Sequence, residues 1–123
     1  MKVSILRKAI QEAEKSNQRF GLGAVIFKGS SVYGSGCNDK RSSNIPDKYK
    51  RFHHSFHAEI AAIYNVSDWN KLKGSSILVV RLTASGKISK SYPCNKCLNT
   101  LKYLGVKNLY YSNTRGEIKR ERI

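Results

Sequence analysis

Acidic residues are scarce. Eight Asp and Glu stand against 23 Lys and Arg in 123 residues, which leaves a formal net charge of +15. A field of that sign attracts polyanions and phosphorylated small molecules; the bland alternative is a solvated basic surface with no dedicated ligand. Cysteine is also scarce, and odd in number: Cys37, Cys94 and Cys97. Secreted disulfide frameworks use even sets at wider spacing, so these three do not read as one. No long apolar run opens the chain, and Arg7 and Lys8 soon bring charge. That is the pattern of neither a secretory signal nor a membrane span. Together these absences predict a reducing, cytoplasmic setting and no membrane partner. Internal repeats, low-complexity stretches and linkers are missing too. The expectation is one domain over residues 1–123, long enough to bury a layered core without disulfides.

What is present is periodic. Val3, Leu6, Ala9, Ile10 and Ala13 recur at helical spacing, predicting an amphipathic helix over 3–16. Gly21 and Gly23 lead into a buried strand at 24–27, and 28–30 reads as a hairpin turn. The return strand at 32–36 carries Gly34 and Gly36, where another element can approach the backbone closely. Residues 38–53 form a polar, basic loop with Pro46. A short helix follows at 57–65, then a connection at 68–74. Residues 76–82 are a continuous apolar run, as in a central strand buried on both faces. A second loop covers 83–92. Pro93 opens a helix through Leu98, Leu101 and Leu104 that Gly105 ends. Strands at 109–111 and 117–123 flank a tight turn, so they should pair antiparallel. The order α-β-β-α-β-α-β-β predicts an α/β fold with a mixed five-stranded sheet.

Three groups of residues carry chemistry: His57-Ala58-Glu59, Pro93-Cys94-Asn95-Lys96-Cys97, and Asn38. Cys94 and Cys97 stand at i and i+3 at a helix start, so both sulfurs can face one point. Unpaired backbone N–H groups and the helix dipole favour thiolate there, the form that binds zinc. His57 adds an imidazole nitrogen, giving a three-ligand set for one Zn2+ per chain with an open fourth position. Cys37, His53 and His54 are candidates for a fourth ligand, which would close the site as in structural zinc. Glu59 follows His57 by two and can lean over the same helix end. There its carboxylate can take a proton from water and return it to a ring nitrogen and to leaving ammonia. A lone Glu in that place would read as a carboxylate at the helix dipole.

H-A-E followed by P-C-x-x-C is similar to the signature of the cytidine deaminase-like zinc deaminases. The resemblance spans most of the chain. It implies that family's three-layer fold with helices on both sheet faces, His57, Cys94 and Cys97 as zinc ligands, and Glu59 as proton shuttle. It implies Asn38 as a contact to the nucleoside sugar and the Ala58 carbonyl as a contact to the base amine. His in the first ligand position resembles deoxycytidylate, tRNA-adenosine and polynucleotide-cytidine deaminases, whereas the hairpin ending is more like the compact free-nucleoside type. An aromatic loop in polynucleotide deaminases stacks a neighbouring base, which would give Tyr111 that role. Relatives often assemble into homo-oligomers.

The expected function is hydrolytic deamination of a cytosine nucleotide, deoxycytidylate-like. The rival is deamination of a base within nucleic acid, tRNA adenosine or single-stranded cytosine. A non-catalytic zinc module that binds nucleic acid stands as a reading from another class. Lys48, Lys50 and Arg51 are either phosphate contacts or a solvated charge run; Trp69 reads as packing, and Cys37 as a small buried residue.

Overall fold

A computed structural model describes residues 1–16, 20–38 and 57–123. The loop expected at 38–53 lies outside it from residue 39 on. So do His53, His54, Lys48, Lys50 and Arg51.

Helix α1 is Val3–Glu14; strands β1 and β2 are Gly21–Lys28 and Ser31–Cys37. Helix α2 is Ala58–Tyr64, and a single 3-10 turn covers Trp69–Leu72. Strand β3 is Ser76–Leu82, β4 is Ile88–Ser89, helix α3 is Asn95–Tyr103, and β5 and β6 are Asn108–Ser112 and Ile118–Arg122. The sheet runs β2-β1-β3-β5-β6, with β4 beside β3. Among the described strands only β3 and β5 pair in parallel, with α3 in the crossover between them; β5 and β6 pair antiparallel, as the tight turn predicts. The sixth strand is the difference from the sequence reading. Within the expected loop, the Thr83 N–H donates to Lys87 O at 2.8 Å and reverses the chain, so that Ile88 and Ser89 lie against Leu82 and Arg81.

The period-two alternation of β1 and β3 divides the core into two. Val25, Phe27, Leu78, Val80 and Leu82 pack under α1 on Ile5, Ala9 and Ala13. Ala24, Ile26, Ile77 and Val79 pack on the other face under α2 and α3, with Ile60, Ile63 and Leu101. The result is helix, sheet, helix: three layers, with β3 buried on both faces as its unbroken apolar run requires. Gly105, at φ 91°, ends α3 in the left-handed conformation that glycine adopts without a Cβ penalty.

The glycines of β2 meet their predicted neighbour. A Cβ on Gly36 would stand 2.5 Å from the Ala61 Cβ and 2.8 Å from its carbonyl carbon, so α2 lies directly on the strand. On the opposite face, a Cβ on Gly23 would fall 2.1 Å from Ala9 O of α1. Backbone cannot step aside as a side chain can. Gly36→Ala is therefore expected to cost about 1–3 kcal/mol, the usual cost of overpacking, read as a lowered melting temperature. An unchanged melting temperature would show that α2 is free to lift from the sheet.

Candidate active site

Two helices begin at the same place. His57 is the N-cap of α2 and Cys94 the N-cap of α3, both in extended backbone, and neither side chain caps its helix. Residues preferred at N-caps bond back to the helix amides. These two reach instead toward each other. His57 Nδ1 lies 3.3 Å from Cys97 Sγ and 3.7 Å from Cys94 Sγ, and the three ligating atoms all fall within 4.8 Å of one another. Tetrahedral zinc, with bonds of about 2.3 Å to sulfur and 2.0–2.1 Å to nitrogen, would set N and S about 3.6 Å apart. The donor set and the two nitrogen–sulfur spacings fit a zinc ion.

Cys97 is buried within α3, and Glu59 is buried in the first turn of α2. Burial, the larger cause, pushes the Cys97 thiol well up, and the neighbouring Glu59 and Cys94 add to it. Burial also raises the Glu59 carboxyl above its ordinary value, against the opposing pull of backbone hydrogen bonding, His57 charge and a hydrogen bond with Cys97. A divalent cation reverses this for the thiol, because coordination deprotonates it outright. Among the described residues, Cys37 is not part of the metal-capable group. It is half-buried rather than buried, at the end of β2.

A cleft of about 280 Å³ opens over this group, lined by Leu22, Asn38, Glu59 and Tyr92 among others. Asn38 is buried there: its Oδ1 accepts from Leu22 N at 2.8 Å and its Nδ2 donates to Phe20 O at 3.0 Å. One N–H and one lone pair of the carboxamide remain after those two bonds. Ala58 is the first residue of α2 and fully buried. Tyr111 stands one ring back. It meets Tyr92 edge-on, centroids 4.9 Å apart at 86°, and Tyr92 is the aromatic that lines the cleft. Tyr110 turns to the other face and packs on Phe27 at 5.8 Å, as strand alternation requires. Trp69, read as packing, is exposed; its Nε1 donates to Ile63 O near the end of α2.

Sequence reasoning missed Tyr92, Arg81, Lys90 and Ser91, all of which line the cleft. Tyr92 directly precedes Pro93-Cys94, and that adjacency was the available signal. Ser91 is positional. Its Oγ donates to Val79 O at 2.7 Å and accepts from Ser112 N at 2.8 Å, tying the segment before Cys94 to β3 and β5. The Glu121 carboxylate, accepting a hydrogen bond from the Tyr92 hydroxyl, pushes the pKa of that phenol up and so keeps it protonated.

A model of the cytidine and deoxycytidylate deaminase zinc-binding region matches residues 2–113. The chain belongs to that deaminase family. Its fold is similar to that of a cytidine deaminase from Burkholderia pseudomallei, at a TM-score of 0.70 and 21% identity over 99% of this chain and 93% of that one. The dCMP deaminase of cyanophage S-TIM5, in complex with dCMP and dUMP, is similar at a TM-score of 0.59 and 23% identity, covering 93% and 85%. A cytidine deaminase from Mycobacterium tuberculosis gives 0.58 and 19%, covering 97% and 87%. At such identities the likeness is one of fold. No curated protein sequence matches the chain significantly. In this zinc-binding family, the three-donor group at the two helix starts is where the chain can hold a metal. No helix among the described residues is long and apolar enough to cross a membrane.

Proposed function

We propose that this protein is a zinc-dependent hydrolase that converts a cytosine nucleotide, deoxycytidylate-like, to its uracil form with release of ammonia. One observation carries the reading: a buried carboxyl group, Glu59, stands at the mouth of a two-thiol, one-imidazole triad inside a small cleft. Family membership supports it.

His57, Cys94 and Cys97 hold the zinc, which supplies Lewis acidity and so a nucleophile from water at neutral pH. The rest falls to the chain. Glu59 accepts the proton that water gives up as its oxygen adds to C4 of the ring. It passes that proton to N3, then carries the second proton to the exocyclic nitrogen as the C4–N bond breaks. Ammonia leaves and a C4 carbonyl remains. A carboxyl that burial has raised is suited to both halves of this transfer, since it gives a proton nearly as readily as it takes one. Tyr92 offers an aromatic wall for the base, with Tyr111 behind it. Asn38 offers its remaining amide hydrogen and lone pair to the sugar, and the Ala58 carbonyl faces the base amine.

The net charge of +15 favours a second reading, deamination of a base within a nucleic-acid strand. The cleft volume favours the first, being near the low end of the small-molecule range of about 300–1,000 Å³. Salt separates them. A mononucleotide substrate is expected to show a shallow fall of log affinity with log salt; a strand touching several phosphates would show a slope of about −0.7 per contact. Incubation of the zinc-loaded protein with cytidine, dCMP, dCTP, single-stranded DNA and tRNA, followed by ammonia release, tests the reading itself. Turnover of dCMP is expected. Turnover of DNA or tRNA alone would replace the first reading with the second, and no ammonia from any of them would leave a binding module. The proposed setting is the cytoplasm, where thiols stay reduced.

A further inference from the structure

Two of the residues that line the cleft are cationic. Arg81 lies on β3 and Lys90 directly follows β4; the β3–β4 register sets Arg81 opposite Ser89, the residue before Lys90. Both line the same cleft as His57, Glu59 and Cys94. The Arg81 guanidinium carbon rests 4.5 Å from the centre of the Phe20 ring. Stacking uses the face of the guanidinium and leaves its in-plane N–H donors for an oxyanion. No carboxylate among the described residues pairs with Arg81 or Lys90: the ion pairs there are those of Glu12 with Lys8 and Lys15. Glu59 is the sole carboxylate lining the cleft among those residues.

Given the reading of the cleft as a deaminase site, on which this rests, we propose that Arg81 and Lys90 form a subsite for a phosphate monoester on the sugar of the substrate. A monoester carries about −1.5 to −2 charges and three terminal oxygens. The planar fork of Arg81 takes two of them side by side, and the Lys90 ammonium serves the third as a point charge. A phosphodiester within a strand has two free oxygens and one charge, and fills this pair less well. The stack on Phe20 fixes Arg81 before the ligand arrives, so little of the attraction is spent on ordering it. Two basic groups in one cleft thus read a charge that a free nucleoside lacks.

The test uses calorimetry on the zinc-loaded full chain, with the unreactive ligands deoxyuridine 5′-monophosphate and deoxyuridine. The wild type is expected to prefer the monophosphate by about 10- to 100-fold, the range for one or two charge-assisted hydrogen bonds. Arg81→Leu and Lys90→Gln should each remove most of that preference. Lys90→Glu, at an exposed position where the fold is not at risk, should reverse it. No preference in the wild type, or a preference that survives in these variants, would overturn the assignment. So would an oligonucleotide with no terminal phosphate that depends on both residues as strongly as the monophosphate does. Ammonia release from dCMP reports separately on the parent reading. A preference lost in the variants without ammonia from the wild type sinks that reading alone; ammonia with the preference intact in the variants sinks the subsite alone.

Discussion

Replacing Glu59 with Gln is expected to lower deamination by roughly 100- to 10,000-fold, the usual share of a positioned acid–base group, while one zinc per chain is retained. Gln keeps the size of the side chain and its ability to hydrogen-bond but cannot carry a proton between oxygen and nitrogen. The variant should also fold. In the metal-free chain burial raises the Glu59 pKa, so its stabilising protonated form is lost as pH rises from the ordinary carboxylate range through the raised value. A neutral amide has no such loss, and Glu59→Gln should melt no lower than the wild type at neutral pH. Full deamination by this variant would remove Glu59 as the proton shuttle. Lost activity together with lost zinc would mean that the carboxylate serves the metal rather than the substrate.

Cys97→Ser is expected to weaken zinc binding by more than about 100-fold, beyond the 10- to 100-fold typical of residues that only support a ligand. Cys97 is fully buried, so its sulfur cannot be replaced by a side chain from solvent. Loss of zinc should be visible in stability as well as in activity. At free zinc 100-fold above its dissociation constant, linkage adds about 2.7 kcal/mol. For a chain of this length that is roughly 10 °C in melting temperature. Chelation should lower the wild-type melting temperature by about that amount and leave Cys97→Ser unmoved. Equal melting of the wild type with and without a chelator would show that no structural coupling exists between the triad and the fold.

Local rules account for most of the fold's legibility. The apolar run at 76–82 could only be an interior strand; the helical spacing read for α1 caught Ala9 and Ala13 of its buried face but missed Ile5 and included Val3, which is exposed. Gly36 announced a close neighbour before α2 was placed upon it. Helix starts were legible to within a residue or two. Pro93 was expected to open α3 but precedes the N-cap, since Cys94 is still in extended backbone. His57 and Cys94 sit where Ser, Thr or Asp would cap better, and neither caps. A broken local rule at two helix starts is itself a functional signal, because stability there has been given up for ligand geometry.

The presence of Arg81 and Lys90 in one cleft was not legible. Arg81 ends an apolar run and Lys90 belongs to what read as a loop. Only the two-residue strand β4 brings them together, and such short pairing leaves no periodic trace in sequence. Tyr92, not Tyr111, lines the cleft, with Tyr111 edge-on behind it, and that packing depends on where β5 meets the segment before α3.

X-ray absorption at the zinc edge of the purified, zinc-loaded protein bears most directly on all of this. Two sulfur and one nitrogen neighbours from the chain, with a single exchangeable oxygen completing the shell, is the predicted result. A fourth ligand from a protein side chain, or no stoichiometric zinc, would contradict it.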